Sequence, residues 1–255
     1  MPGKRLLHCS PGRKGPDMET PEVSAVIPVY NDRDSLREAI PRSIEALAAI
    51  DPGFELIVAE DGSADGSANE VMVWEQRDAR VRLLHSDARL GRGRALTRAF
   101  AEARGRIVCY YDVDLATDIS HLPELIGAIR DGADAATGSR LLPESTIQRS
   151  GGRELASRGY NLMVRTILGS RLYDHQCGFK AFRKDRLMDL LPSVRDTHWF
   201  WDTEVLIRAQ RKGYRVVEFP VRWREGSGTT VKKNDVYRMG RSILGLWWQL
   251  HVEKD

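Results

Sequence analysis

Asp112 and Asp114 flank Val113 directly after the apolar run Ile107–Tyr111. On an extended backbone residues i and i+2 point to the same side, so the two carboxylates can face one divalent cation and hold it against a diphosphate. An isolated Asp-x-Asp more often only solvates the end of a strand, so its neighbours must decide. Three more apolar runs break into polar turns. Val26-Ile27-Pro28-Val29 gives way to Tyr30-Asn31-Asp32, where a ring can stack on a base and the amide and carboxylate can reach its edge or the ribose. Asn and Asp serve equally well there as a helix N-cap. Glu60-Asp61-Gly62-Ser63-Ala64-Asp65-Gly66-Ser67 carries glycines that permit a tight turn and close backbone approach, with Asp61 able to accept from a base imino N–H. It reads otherwise as a plain Asp-Gly turn. Leu90-Gly91-Arg92-Gly93-Arg94-Ala95 sets glycine-flanked N–H groups and arginines at a helix start, a place that favours a diphosphate. Four such breaks in succession exceed what turn chemistry alone accounts for.

For these residues to meet, the runs before them must lie side by side. β-rich runs over 23–29, 54–59, 81–84, 106–111 and 133–138 alternate with segments of helical composition over 35–50, 93–104 and 121–130. Pro41 lies inside the first of these helices and, lacking a donor, is expected to kink or divide it. The alternation predicts an α/β fold with a Rossmann-like, mostly parallel sheet flanked by helices, its ligands gathered beyond the carboxyl ends of the strands. After Leu141 the pattern changes to helices over 152–168 and 203–212, a strand over 215–221 and a last helix over 236–250. Residues 1–20, rich in Gly, Pro and basic side chains, read as a disordered leader to a single domain over 21–255. Its first half, 21–141, is expected to hold the phosphate-bearing ligand of these turns, and its second half, 142–255, is expected to complete the site and bind a second substrate.

The 255 residues, 42% of them hydrophobic, suffice for one such domain. Lys and Arg number 39 against 36 acids, and the net charge of +3 is too small to imply a nucleic-acid partner. Cys9, Cys109 and Cys177 form an odd set without Cys-x-x-Cys spacing, which argues against a disulfide framework and for a reducing compartment. Cys109 reads as a strand residue. Leu6 and Leu7 are too little for a signal peptide, and no run approaches the ~18 apolar residues of a membrane span. The expected location is cytoplasmic, peripheral on the cytosolic face of a membrane.

Taken in order, Pro28-Val29-Tyr30-Asn31, Glu60-Asp61-Gly62-Ser63, Gly91-Arg92-Gly93 and Asp112-Val113-Asp114 resemble glycosyltransferase family 2, inverting enzymes of GT-A fold, over 23–245. The resemblance implies that Pro28, Tyr30, Asn31, Asp32, Asp61, Gly62, Ser63, Arg92 and Asp112 surround the nucleotide of a nucleotide-sugar donor. It also implies that Asp112 and Asp114 hold Mg2+ or Mn2+. Glu60 stands where an Asp is common.

The later blocks Gly138-Ser139-Arg140, Arg153 to Asn161, Gln176-Cys177-Gly178-Phe179-Lys180 and Trp223-Arg224-Glu225-Gly226-Ser227 resemble the polyprenyl-phosphate hexosyltransferases, and the dolichyl-phosphate glucose synthases most. This implies that Arg140, Arg153, Ser157 and Arg224 contact phosphates of the donor or the lipid acceptor, with Arg140 and Arg224 in the catalytic set. Guanidinium forks match phosphate oxygens, although a lone arginine is more often a surface ion pair. Ala116 stands where the mannose enzymes tend to carry Gln, which favours UDP-glucose over GDP-mannose and leaves UDP-N-acetylglucosamine open. A phosphate acceptor is ionised near neutral pH and needs no general base, so the implied reaction is metal-dependent and inverting, giving a β-linked lipid-phosphate sugar.

Two other readings stand beside it. For a glycan hydroxyl acceptor Asp202 or Glu204 is the base candidate, against the plainer reading of an N-cap and a first-turn acid at a helix start. A nucleotide-sugar sensor would bind without turnover. The segment 243–250, with Trp247 and Trp248 near Arg238 and Arg241, suits an amphipathic helix on a membrane surface or a terminal helix packed on the core.

Overall fold

The structure, a computed structural model, describes residues 20–148, 151–225 and 233–252, without the side chains of 151–153 and 233–237. The expected leader, apart from Thr20, lies outside the described residues. Strands and helices alternate through β1 (Val23–Val29), α1 (Arg33–Ala48), β2 (Glu55–Glu60), α2 (Ser67–Arg77), β3 (Val81–Leu84), α3 (Arg92–Glu102), β4 (Ile107–Tyr111), α4 (Leu122–Arg130) and β5 (Ala135–Ser139). There follow β6 (Thr146–Gln148), α5 (Gly151–Leu168), β7 (Phe179–Arg183), α6 (Lys184–Leu190), α7 (Trp201–Arg211), β8 (Val216–Pro220), β9 (Arg222–Arg224) and α8 (Lys233–His251).

Seven strands form one sheet in the order β3-β2-β1-β4-β7-β5-β8. β1 pairs parallel with β2 and β4, β2 with β3, and β5 with β8. The sheet is the expected mostly parallel, Rossmann-like α/β arrangement of the GT-A fold. Its exception is β7, antiparallel between β4 and β5. β6 and β9 pair in a separate ribbon.

Every residue of β2 and β4 is buried, because helices cover both faces, and such strands read as unbroken apolar runs. On one face Leu36, Ile40 and Leu47 of α1 and Leu125 and Ile126 of α4 pack beneath the sheet. On the other, Leu96 and Phe100 of α3 and Trp201, Val205 and Leu206 of α7 do so. A third cluster joins α5 to α8 through Tyr160, Val164, Leu168, Met239, Ile243 and Leu246. α1 runs unbroken through Pro41, so the expectation of a divided helix is corrected. The missing N–H deletes one bond within the helix, and the buried face of Leu36, Ala39, Ile40, Ser43 and Leu47 keeps the remaining turns in place.

Candidate active site

The carboxyl ends of β1 and β2 lie level, Val29 opposite Glu60, and the loops beyond them are stitched together. Asn31, at φ 50°, donates its N–H to Ser63 Oγ at 2.9 Å and accepts the Ala64 N–H on Oδ1 at 2.8 Å. Asp65 accepts the Arg33 N–H at 2.9 Å. Asp32 is the N-cap of α1, accepting from the Ser35 N–H. Asp61 is buried and takes the N–H groups of Leu90 and Gly91 at 2.7 and 2.9 Å, which fixes the Gly-Arg-Gly turn against the second loop. Each of its oxygens keeps a second lone pair for a base. Gly62, at φ 75°, allows this approach, since a Cβ there would lie 2.7 Å from Ala88 C and Arg89 N. Glu60 reaches the Ser63 N–H with Oε1 and His85 Nδ1 with Oε2, the latter at 2.5 Å. Pro28 sits within β1 just before this mouth, and the Arg89 guanidinium lies 3.9 Å over the Tyr30 ring.

Asp112 opens a tight turn rather than the extended segment assumed from spacing. Its N–H donates to Gly178 O at 3.2 Å, its carbonyl accepts the Leu115 N–H at 3.1 Å, and Leu115 has φ 48°. Asp114 Oδ1 accepts the Ala116 N–H at 3.0 Å. The two acids still lie close enough to feel each other's charge. Asp114 is exposed yet crowded by neighbouring atoms, and desolvation and then the charges of Asp112 and Asp32 push its carboxyl up to about 6. Among the described residues no group of three or more His, Cys, Asp or Glu side chains is placed to hold a metal. Two carboxylates with the remaining positions left to phosphate oxygens and water is the arrangement Mg2+ commonly takes. Mutual repulsion among Asp114, Asp112 and Asp32 is what a cation there would relieve, so the residues fit the group.

Beneath the turn lies a buried charge cluster. Arg92 donates Nη2 to Asp112 Oδ1 at 2.8 Å and Nη1 to Asp202 Oδ2 at 2.5 Å. Asp202 Oδ1 accepts from Tyr110 Oη and lies 3.4 Å from Lys180 Nζ, itself wholly buried and donating to Cys177 O at 2.5 Å. Burial pushes Asp202 up to about 6 against the pull of Arg92, and pushes Lys180 down to about 8. Burial also works against the Arg92 charge, but Asp202 and Asp112 outweigh it and keep the guanidinium protonated. The N-cap reading of Asp202 is corrected: Phe200 is the N-cap of α7, and Asp202 and Glu204 are first-turn acids that face inward. Glu204 is engaged by the Arg195 and Asp196 N–H groups and by Arg208.

Of the residues expected on the acceptor side, Arg140 is only 8% exposed, with Nε and Nη2 held by Asp174 at 2.7 and 3.0 Å. Only the remaining edge of its guanidinium is left for another partner. Ser157 is buried on α5, and its Oγ has no hydrogen-bond partner among the described residues. Arg224 is exposed on β9, and its N–H donates to Ala116 O at 2.9 Å, which ties it to the back of the Asp112–Asp114 turn. Arg153 belongs to α5, but its side chain lies outside the described residues. Sequence reasoning named Lys180 without giving it a role and passed over Tyr110 and Asp174. A lysine inside the apolar Phe179-Lys180-Ala181-Phe182 run was the available signal.

A model of Glycosyl transferase family 2 matches residues 24–191. The chain is 48% identical over 235 residues to Glycosyltransferase AglD of Haloferax volcanii, a match that covers 91% of this chain and 38% of that protein. It thus spans well under half the length of that relative. It is 30% identical over 244 residues to the dolichyl-phosphate beta-glucosyltransferase ALG5D of Trichomonas vaginalis, covering 90% of this chain and 75% of that protein. Among solved structures, glucosyl-3-phosphoglycerate synthase from Mycobacterium tuberculosis in complex with Mn2+, UDP and glucosyl-3-phosphoglycerate superposes with a TM-score of 0.65 at 20% identity, covering 90% of this chain and 79% of that one. That last likeness is one of fold. With the family's model matched across two thirds of its length and its strand-end turns gathered at one mouth, the chain belongs to glycosyltransferase family 2.

Proposed function

We propose that the chain transfers a hexose from a nucleotide-diphosphate sugar, UDP-glucose by preference, to a polyprenyl or dolichyl phosphate with inversion. The observation that carries the reading is the convergence of Asp112, Asp114, Asp32 and Arg92 at the carboxyl ends of parallel strands, with Asp114 pushed up by desolvation and then by its acidic neighbours. The name of the Trichomonas relative supplies the acceptor class and the sugar. Asp112 and Asp114 would hold Mg2+ or Mn2+, which supplies charge stabilisation for the departing nucleoside diphosphate. Tyr30, Asn31, Asp61 and the Gly91–Gly93 turn surround the nucleotide, with Pro28, Asp32, Gly62 and Ser63 shaping their loops. Arg224 and Ser157 lie on the acceptor side with Arg153 and the free edge of Arg140, and orient an acceptor oxygen already ionised at neutral pH.

No helix among the described residues is long and apolar enough to cross a membrane. α8 packs on α5 through Met239, Ile243 and Leu246 while leaving Leu244, Trp247 and Trp248 exposed, with Arg238 and Arg241 exposed nearby. α5 exposes Leu155 and Leu162. Aromatic and basic side chains on one surface suit the interface of an anionic bilayer, where a lipid-phosphate acceptor is found.

The test is a donor panel offered to purified protein with a short polyprenyl phosphate and Mn2+. The expected outcome is an organic-extractable product from UDP-glucose that disappears with chelator. A product from GDP-mannose alone would overturn the donor assignment, and no product from any donor would overturn the reading.

A further inference from the structure

Asp202 touches neither the expected cation nor the acceptor residues, yet it is among the most heavily engaged carboxylates in the protein. We propose that Asp202 is a positioning residue. It anchors one edge of Arg92, so that when a divalent cation takes Asp112 the other edge turns from Asp112 to the diphosphate arriving with it. The proposal rests on the donor site described above.

Each terminal nitrogen of Arg92 is bonded to a different carboxylate, Nη1 to Asp202 at 2.5 Å and Nη2 to Asp112 at 2.8 Å. A cation at Asp112 repels a guanidinium held on the same carboxylate, and this weakens the Nη2 contact first. The Nη1 contact is better defended. Asp202 is 3% exposed and is fixed by Tyr110 Oη and by Lys180, whose ammonium is tied to Cys177 O. The rings of Tyr110 and Trp199 lie 5.2 and 5.5 Å from the guanidinium, so its freedom is confined to turning about the Asp202 contact.

The same engagement weighs against Asp202 as a base for an acceptor hydroxyl. Oδ2 holds Arg92, Oδ1 holds Tyr110 and Lys180, and the side chain is only 5% exposed.

The test measures UDP binding by calorimetry in saturating Mn2+ with no acceptor present. The wild type is compared with Asp202→Asn, Arg92→Gln and the double variant. Asn keeps the shape of Asp202 and one acceptor oxygen but removes the charge that holds the fork. Loss of a charge-assisted contact is expected to weaken UDP binding about tenfold or more in each single variant, with the double variant no weaker than either single. In turnover assays Asp202→Asn is expected to raise the donor KM while leaving that of the polyprenyl phosphate unchanged, which general loss of structure would not do. Wild-type UDP affinity in Asp202→Asn together with collapsed kcat would make it a base and overturn the proposal, as would single effects that multiply in the double variant. Should Asp202→Asn fail to fold, Arg92→Lys keeps the charge but loses the planar fork whose two terminal nitrogens reach Asp202 and Asp112 separately. It is expected to show the same tenfold loss, and unchanged affinity would overturn the proposal. If the wild type itself binds no UDP with Mn2+, the donor site falls and takes this proposal with it. Binding without turnover would count only against the acceptor reading.

Discussion

Among the described residues Arg140 is buried and Arg92 nearly so, each against an aspartate, and they differ in how completely the pair is closed. Arg140 gives its side chain bidentately to Asp174 and adds its own backbone N–H to the same carboxylate, which also takes the Gln176 N–H. Asp174, which burial alone would raise, is held well below the carboxylate range by Arg140. Arg92 instead divides itself between Asp202 and Asp112, and Asp112 is partly open to solvent. A closed pair returns its desolvation cost within the fold and leaves a ligand only the outer edge of its guanidinium. A divided one has a bond that a ligand can exchange. The first is a joint at the end of β5 with one edge left for the proposed acceptor phosphate, and the second lies at the proposed donor site.

The largest expected effect comes from breaking the divided region at its open end. Asp112→Ala should lower kcat/KM for sugar transfer about a thousandfold, the scale of several kcal/mol of lost charge stabilisation, while the urea midpoint moves little. The closed pair should behave in the opposite way. Asp174→Ala strands a buried guanidinium and should cost about 3–5 kcal/mol in urea unfolding, and the double change Arg140→Met with Asp174→Leu should recover most of it. A double variant that stays as unstable as the single would show that Arg140 does more than close the joint. Gly178→Ala is a subtler probe of the divided region. Gly178 O holds the Asp112 N–H, and a Cβ at Gly178 would collide with the Asp112 carboxylate. Displacing that carboxylate by an ångström should cost about a hundredfold in donor turnover, with the fold intact by circular dichroism.

The two regions were unequally legible in the sequence. The turns after β1, β2 and β4 could be read because parallel strands buried on both faces are unbroken apolar runs, and each ends where the polarity changes. The same logic hid β7, whose second residue, Lys180, interrupts the apolar pattern although its ammonium lies wholly inside. Asp202 was hidden for a related reason. An acid in the first turn of a helix ordinarily faces solvent toward the helix dipole, and nothing local shows that Trp201 and Asp202 both turn inward. Its partner Arg92 is 110 residues away, and Arg140 and Asp174 are 34 apart, separations that carry no periodicity to read. Pro41 misled in the other direction, since local propensity weighed against a helix that tertiary packing completes.

The effect that accrues most gradually concerns pH, and it too separates the regions. His175, next to Asp174, is wholly buried; Nδ1 faces Asn161 Oδ1 at 2.8 Å and Nε2 faces Ser170 Oγ at 2.7 Å. Burial pulls its imidazole from 6.5 down to about 3, so between those values the unfolded chain binds a proton that the native protein does not. Its contribution to stability is therefore present above pH 6.5 and lost as pH falls, with a limiting slope of about 1.4 kcal/mol per pH unit. Asp202, raised from 3.8 to about 6, works against it, because there the native state takes the proton first and its ionisation costs stability as pH rises through that window. The wild-type profile should thus be flatter than His175 alone would make it. His175→Gln removes one side of the opposition. Its stability deficit at pH 7, which reflects lost contacts, should shrink steadily as urea titrations move from pH 6.5 toward 4. A deficit that stays constant across that range would mean that the imidazole accepts its proton in the native state, and that the joint around Asp174 is open to water after all.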